Sequence, residues 1–216
     1  MFVIDSITAV LLFAQFSILR SRALLVIASG YLFTALILIP WMLTFPGVFA
    51  PTGVFGGLQS TAWLYIFWHA GFPMFVIAYA LSKDANLNNR LSRGSVGAAI
   101  LGSAAMTAGL VCAAAFLAAA ENPLLPRLML DAVRLSALWF YAAGGAALVS
   151  ALALSVLWVR RRSILDLWLM VVMCAYVIEI CLISFPVPVR YSIGGMPAES
   201  SGSCPEVSSC LCSCTR

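Results

Sequence analysis

The sequence predicts an all-α fold, a polytopic bundle of six transmembrane helices, and three features predict it. Hydrophobic residues make up 63% of the 216 positions and charged residues only 9%, against about 25% charged in soluble domains. So little charge cannot cover a water-facing surface, and the mean hydropathy is +1.04. The apolar residues also fall into continuous runs of about 20 residues, the length that crosses a bilayer. These runs do not alternate with polar residues, which argues against a β-barrel.

The first run is Met1 to Leu19, interrupted by Asp5. At about 1.5 Å per residue it is just long enough to span. It has no basic n-region and is followed by Arg20 and Arg22, so it reads as an uncleaved helix and not a signal peptide. Its abrupt start suggests a domain that begins upstream. The second run is Ala23 to Phe45, with Pro40 near its end. Pro46 to Ser60 follows without a charged residue and is rich in Gly and Pro; it reads as a loop lying on the outer membrane face.

The third run, Thr61 to Leu81, contains the sole histidine, His69. Lys83, Asp84, Arg90 and Arg93 then form a polar loop. The fourth run, Val96 to Ala120, carries Ala98, Gly102, Ala105, Gly109 and Ala113 at helical spacing. Such a stripe lets two backbones approach, unless the helix is merely alanine-rich. Glu121 to Arg134 is a short polar connection. The fifth run, Leu135 to Val159, holds Gly144 and Gly145, read as a packing notch, and ends at Arg160, Arg161 and Arg162. The sixth, Ile164 to Phe185, contains Glu179.

The net charge of +4 is no nucleic-acid signal, because the basic residues sit between membrane runs. Loops after runs one, three and five hold Arg20, Arg22, Lys83, Arg90, Arg93 and Arg160 to Arg162; those after two, four and six hold Arg127, Arg134 and Arg190. The richer set is cytoplasmic and the N-terminus outside. Of seven cysteines, Cys112, Cys174 and Cys181 lie in membrane runs and act as small apolar side chains.

Residues 1–193 therefore form a membrane domain, and 194–216 a Ser/Cys-rich tail without periodicity. Cys204, Cys210, Cys212 and Cys214 fit a disulfide-bearing extracytoplasmic tail. A frameshift near Gly194 is the preferred reading. In the shifted frame, synonymous codons exist that encode Trp-Tyr-Ala-Gly-Arg and then an apolar run. That run would be a seventh helix returning the chain to the cytoplasm, and the gene sequence beyond codon 194 tests it.

The candidate chemistry centres on TAWLYIFWHAGFP, Thr61 to Pro73. Tyr65 and His69 are four apart and share a helix face; Trp68 and Phe72 share a neighbouring one, as do Trp63 and Phe67. An imidazole here suits ligand binding, haem or metal coordination, or titration as a sensor; equally, it suits a packing hydrogen bond to another helix. A haem between two histidines of one chain is excluded. Glu179 is costly in a bilayer unless protonated or paired, and His69 is a possible partner. Asp5 reads as a capping or interfacial residue, and Trp41, Trp139 and Trp158 as an interfacial belt. No P-loop, Gly-x-Ser-x-Gly, metal cluster or catalytic carboxylate pair is found.

Three blocks carry a resemblance: Ile7 to Leu25 (ITAVLLFAQFSILRSRALL), Thr44 to Gly53 (TFPGVFAPTG) and Leu58 to Leu81 (LQSTAWLYIFWHAGFPMFVIAYAL). They resemble the membrane-associated sensor (MASE) family, fourth type, and Arg190 to Gly194 (RYSIG) resembles the start of that family's last helix. The resemblance implies a bacterial inner-membrane sensory region that precedes a histidine kinase or diguanylate cyclase. The expected function is thus a non-enzymatic sensory module, its signal unknown, its output missing from this chain. His69, Trp63, Tyr65, Trp68, Phe72 and Glu179 are the signal-sensing candidates, with no cofactor and no metal. Expected partners are the bilayer, a small-molecule or membrane signal and a second copy in a homodimer, with no nucleic acid. The rival readings are a small transporter or channel, and a quinone- or haem-binding membrane protein.

Overall fold

The computed structural model describes residues 1–45, 49, 54, 56–85, 96–119, 125–130, 135–160 and 163–184. Most of the loop after the second run lies outside these residues, as do the tail, its four cysteines and the frameshift reading.

The described residues form six helices and no named strand: α1 (Phe2–Leu19), α2 (Arg22–Thr44), α3 (Leu58–Ala85), α4 (Val96–Ala119), α5 (Ala137–Arg160) and α6 (Ile164–Ser184). All six are long and apolar enough to cross a membrane. Pro40 and Pro73 are carried inside α2 and α3. The third run extends beyond its expected ends. Leu58 to Ser60 belong to its first turn, and Lys83 and Asp84 to its last turn instead of to a loop.

α3 is the central element. α2, α4, α5 and α6 all pack on it, α4 also leans on α2, α5 on α6, and α1 packs chiefly on α2. Large apolar side chains such as Val10, Leu101, Leu148 and Leu182 point outward, as suits a bundle whose solvent is lipid. Two apolar clusters fill the interior. The one toward the basic end of the bundle, where Arg22, Lys83 and Arg160 lie, gathers Ile27, Val76, Leu157, Leu169 and Met173. The one toward the opposite end gathers Ile37, Leu64, Tyr65, Trp68 and Trp139.

Close approach is concentrated between α2 and α3. A Cβ at Gly30 would meet Phe75 Cβ at 2.8 Å, and one at Gly71 would meet Phe33 Cε1 at 2.5 Å. The small-residue stripe of α4 behaves otherwise. Ala98, Gly102, Ala105, Gly109 and Ala113 are all exposed, and a Cβ at either glycine meets nothing within 4 Å. α4 packs inward through Thr107, Val111 and Ala118 instead. Gly144 and Gly145 likewise face open space, so the expected notch on α5 is not used among the described residues.

The aromatic belt needs the same correction. Trp158 is exposed near an end of α5, as expected, but Trp139 is a core residue and Trp41 packs on Trp68. Asp5 does not cap α1, whose N-terminus has no side-chain cap bond; its carboxyl group faces Thr34. Cys112 and Cys174 are exposed and unbridged.

The connection between α4 and α5 is held down. Gln59 donates from Nε2 to the Met129 carbonyl at 2.5 Å, and its Oε1 accepts from the Leu128 and Met129 N–H groups at 2.8 and 3.3 Å. Trp63 Nε1 donates to the Pro126 carbonyl at 3.2 Å. Leu128 and Met129 are consequently buried at the end of the core opposite the basic end. Thr61 joins the neighbouring helix ends by donating to the Thr44 carbonyl at 3.0 Å.

Candidate functional site

His69 sits midway along α3 and is fully buried. It is four residues after Tyr65, so their rings overlap at 3.9 Å between centroids. Its Nδ1 lies 3.0 Å from the Tyr65 carbonyl. A carbonyl only accepts, so Nδ1 carries a proton and donates it. That assignment fixes the other nitrogen: in a neutral imidazole Nε2 is then a bare lone pair.

Nε2 lies 3.4 Å from Glu179 Oε1 on α6. The alignment falls short of a hydrogen bond, but the distance is that of an ion pair. A lone pair facing an ionised carboxylate is repulsive. One further proton on the pair, either on Nε2 as imidazolium with carboxylate or on Glu179 as a neutral acid, turns the contact into an attraction. Both forms are neutral overall, which suits a site at membrane depth, where net charge is expensive. The Glu179 side chain is 37% exposed while His69 is 0% exposed, so the glutamate is the member open to the outside of the bundle.

Aromatic rings surround the pair. Tyr176, one turn before Glu179 on α6, lies 5.1 Å from the His69 ring and 5.5 Å from Phe72. Trp68 lies 4.6 Å from His69. Tyr65 stacks on Trp139 of α5 at 5.7 Å. From α1, Asp5 is within electrostatic range of Tyr176.

The structure thus gathers five of the six expected residues, His69, Tyr65, Trp68, Phe72 and Glu179. Trp63 points elsewhere: it is only partly buried, pairs with Phe67 at 5.7 Å and clasps Pro126. Trp139 and Tyr176 were not expected here. Their signal was an aromatic in each of the two runs facing α3, which alone does not give a partner.

A second polar cluster at the basic end also escaped the sequence. Asp166, fully buried in the first turn of α6, pairs with Lys83 of α3 and accepts the Tyr79 hydroxyl at 2.9 Å. Its Oδ2 accepts the Ser163 N–H at 2.9 Å, and its own N–H lies 3.4 Å from Ser163 Oγ. This is a reciprocal capping arrangement, and Ser163-x-x-Asp166 was its available signal. Lys83 also lies 4.8 Å above the Tyr79 ring.

α3 and α6 are thus joined by polar contacts at two levels. His69 and Lys83 are separated by about 20 Å of helix, at roughly 1.5 Å per residue. Among the described residues no group of three metal-binding side chains occurs.

No curated protein and no solved structure matches this sequence. A family model does, the membrane-associated sensor, integral membrane domain (MASE4), over residues 1–195. A match of that extent, on a chain whose six apolar helices are each long enough to span, places this protein in the membrane-associated sensor family as an integral membrane domain.

Proposed function

We propose that this sensory domain perceives its signal where α3 meets α6 and relays it to a cytoplasmic histidine kinase or diguanylate cyclase, in the cytoplasmic membrane of a bacterium. The observation that carries the reading is the His69–Glu179 contact. It brings an imidazole and a carboxylate from two helices within 3.4 Å of each other, among mostly apolar side chains. In this reading a signal that changes the protonation of the pair, or competes for either partner, shifts the outer half of α6. The Lys83–Asp166 pair, its carboxylate buried, holds the other end. A domain with two such arrangements passes on a signal to the extent that the signal favours one of them. In this reading the domain carries no catalysis of its own.

The test joins residues 1–193, through one further crossing segment, to a diguanylate cyclase. Cyclase output is expected to change with the pH on the Glu179 side of the membrane. His69→Ala should abolish that change while the protein still inserts. An unaltered response in His69→Ala would make His69 a packing residue only.

A further inference from the structure

The aromatic cluster contains more hydrogen-bond donors than the protein satisfies. Trp41 Nε1, Tyr65 Oη, Trp68 Nε1 and Trp139 Nε1 are all buried, and none has a hydrogen-bond partner among the described residues. Trp68 Nε1 is turned toward the Tyr176 hydroxyl, though without a bond of proper geometry. The four rings form one chain of contacts: Trp41 to Trp68 at 6.1 Å, Trp68 to Tyr65 at 6.4 Å and Tyr65 to Trp139 at 5.7 Å. Tyr65, Trp68 and Trp139 are each at least nine-tenths buried, at 9%, 5% and 5% exposure.

A buried polar group left unpaired costs about 1–3 kcal/mol, and native interiors avoid it. Here such groups concentrate on three helices, beside His69 and beneath the Leu128–Met129 segment that Gln59 holds down. Indole N–H groups donate and never accept, so whatever satisfies them presents acceptors. Aromatic rings stack best on a flat apolar body, and burial among apolar helices favours a lipid-soluble one.

We infer that this cluster is the binding site for a flat, lipid-soluble molecule bearing carbonyl oxygens, the chemistry of a quinone, held by Trp41, Tyr65 and Trp139. The inference rests on the sensory reading and names its ligand. A ring bound beside His69 gives a route from occupancy to the His69–Glu179 contact, through the Tyr65 ring that overlaps the imidazole.

The test uses the full chain in lipid nanodiscs with a short-tailed, carbonyl-labelled benzoquinone. Saturable binding is expected, with the carbonyl stretching band moved to lower frequency. Tyr65→Phe and Trp139→Phe each remove one donor and keep an aromatic ring; each should weaken binding by about fivefold to tenfold, on the order of 1 kcal/mol. Trp158→Phe, at an exposed indole of α5, should bind as wild type. Absence of saturable binding overturns the assignment and leaves the donors to bridging water. Equal binding by all three variants overturns it as well. A cyclase fusion that still responds to pH but binds no quinone keeps the sensory reading and loses only the ligand. A fusion that binds quinone in this pattern yet never changes its output keeps the site and loses the sensory reading.

Discussion

At the scale of single residues, the account turns on which atoms can donate. His69 Nδ1 is committed to a backbone carbonyl, so the state of Nε2 and Glu179 is one joint question. Glu179→Gln should settle how the pair works. The amide offers a permanent N–H to the imidazole lone pair, so it keeps the helices together and removes their response to pH. The Asp166 cluster is structural by the same kind of argument. Breaking a buried ion pair by removing one partner costs about 3–5 kcal/mol. Asp166→Ala leaves Lys83, Tyr79 and the Ser163 N–H without their acceptor; the midpoint of detergent denaturation should drop accordingly, and Asp166→Asn should fall between. Of these residues, His69 and Glu179 were legible because ionisable groups are rare in apolar runs. Their contact could be named as an option but not demonstrated, since a sequence gives no register between helices. Asp166 went unseen because it sits at a helix start, where an acidic residue is ordinary.

Elements were the most legible scale. Five of the six helices begin and end within about two residues of the apolar runs, because apolar length is what a bilayer demands. α3 departs most, and the reason is physical. Its extra turns contain polar residues, Gln59 at one end and Lys83 at the other, each satisfied by a partner distant in sequence. Which glycines permit close packing was not legible either. Spacing drew attention to α4, whereas the intimate contact is α2 on α3, at Gly30 and Gly71. The two sites should respond oppositely to alanine. Gly30→Ala presses a methyl group on Phe75 Cβ and should cost about 1–3 kcal/mol through overpacking. Gly102→Ala meets nothing and should be neutral, or stabilising by about 0.5–1 kcal/mol through helix propensity. Thermal unfolding in one detergent compares them. For Gln59→Ala, which frees three hydrogen bonds to the α4–α5 connection, hydrogen exchange at Leu128 and Met129 should quicken at least tenfold with α3 itself unaffected.

For the whole molecule, α3 is the central element, and α6 is joined to it by polar and aromatic contacts at two levels. α6 packs extensively on α5 but comes close to α3 at few points, so a small electrostatic change at one of them has leverage. The groups that face the His69–Glu179 pair are Tyr65 on α3, Tyr176 on α6 and, within electrostatic range of Tyr176, Asp5 on α1. In the proposed reading, taking the proton from this pair leaves a lone pair against a carboxylate, so the ends of α3 and α6 remote from Lys83 are expected to separate, and returning it restores the contact. The most direct test is the distance between spin labels at Met42 on α2, which is packed on α3, and Leu182 on α6, both exposed, in nanodiscs with the native cysteines replaced. The account predicts that this distance grows as pH rises in the wild-type background and stays constant in Glu179→Gln. A distance that ignores pH in both, or changes equally in both, would contradict it.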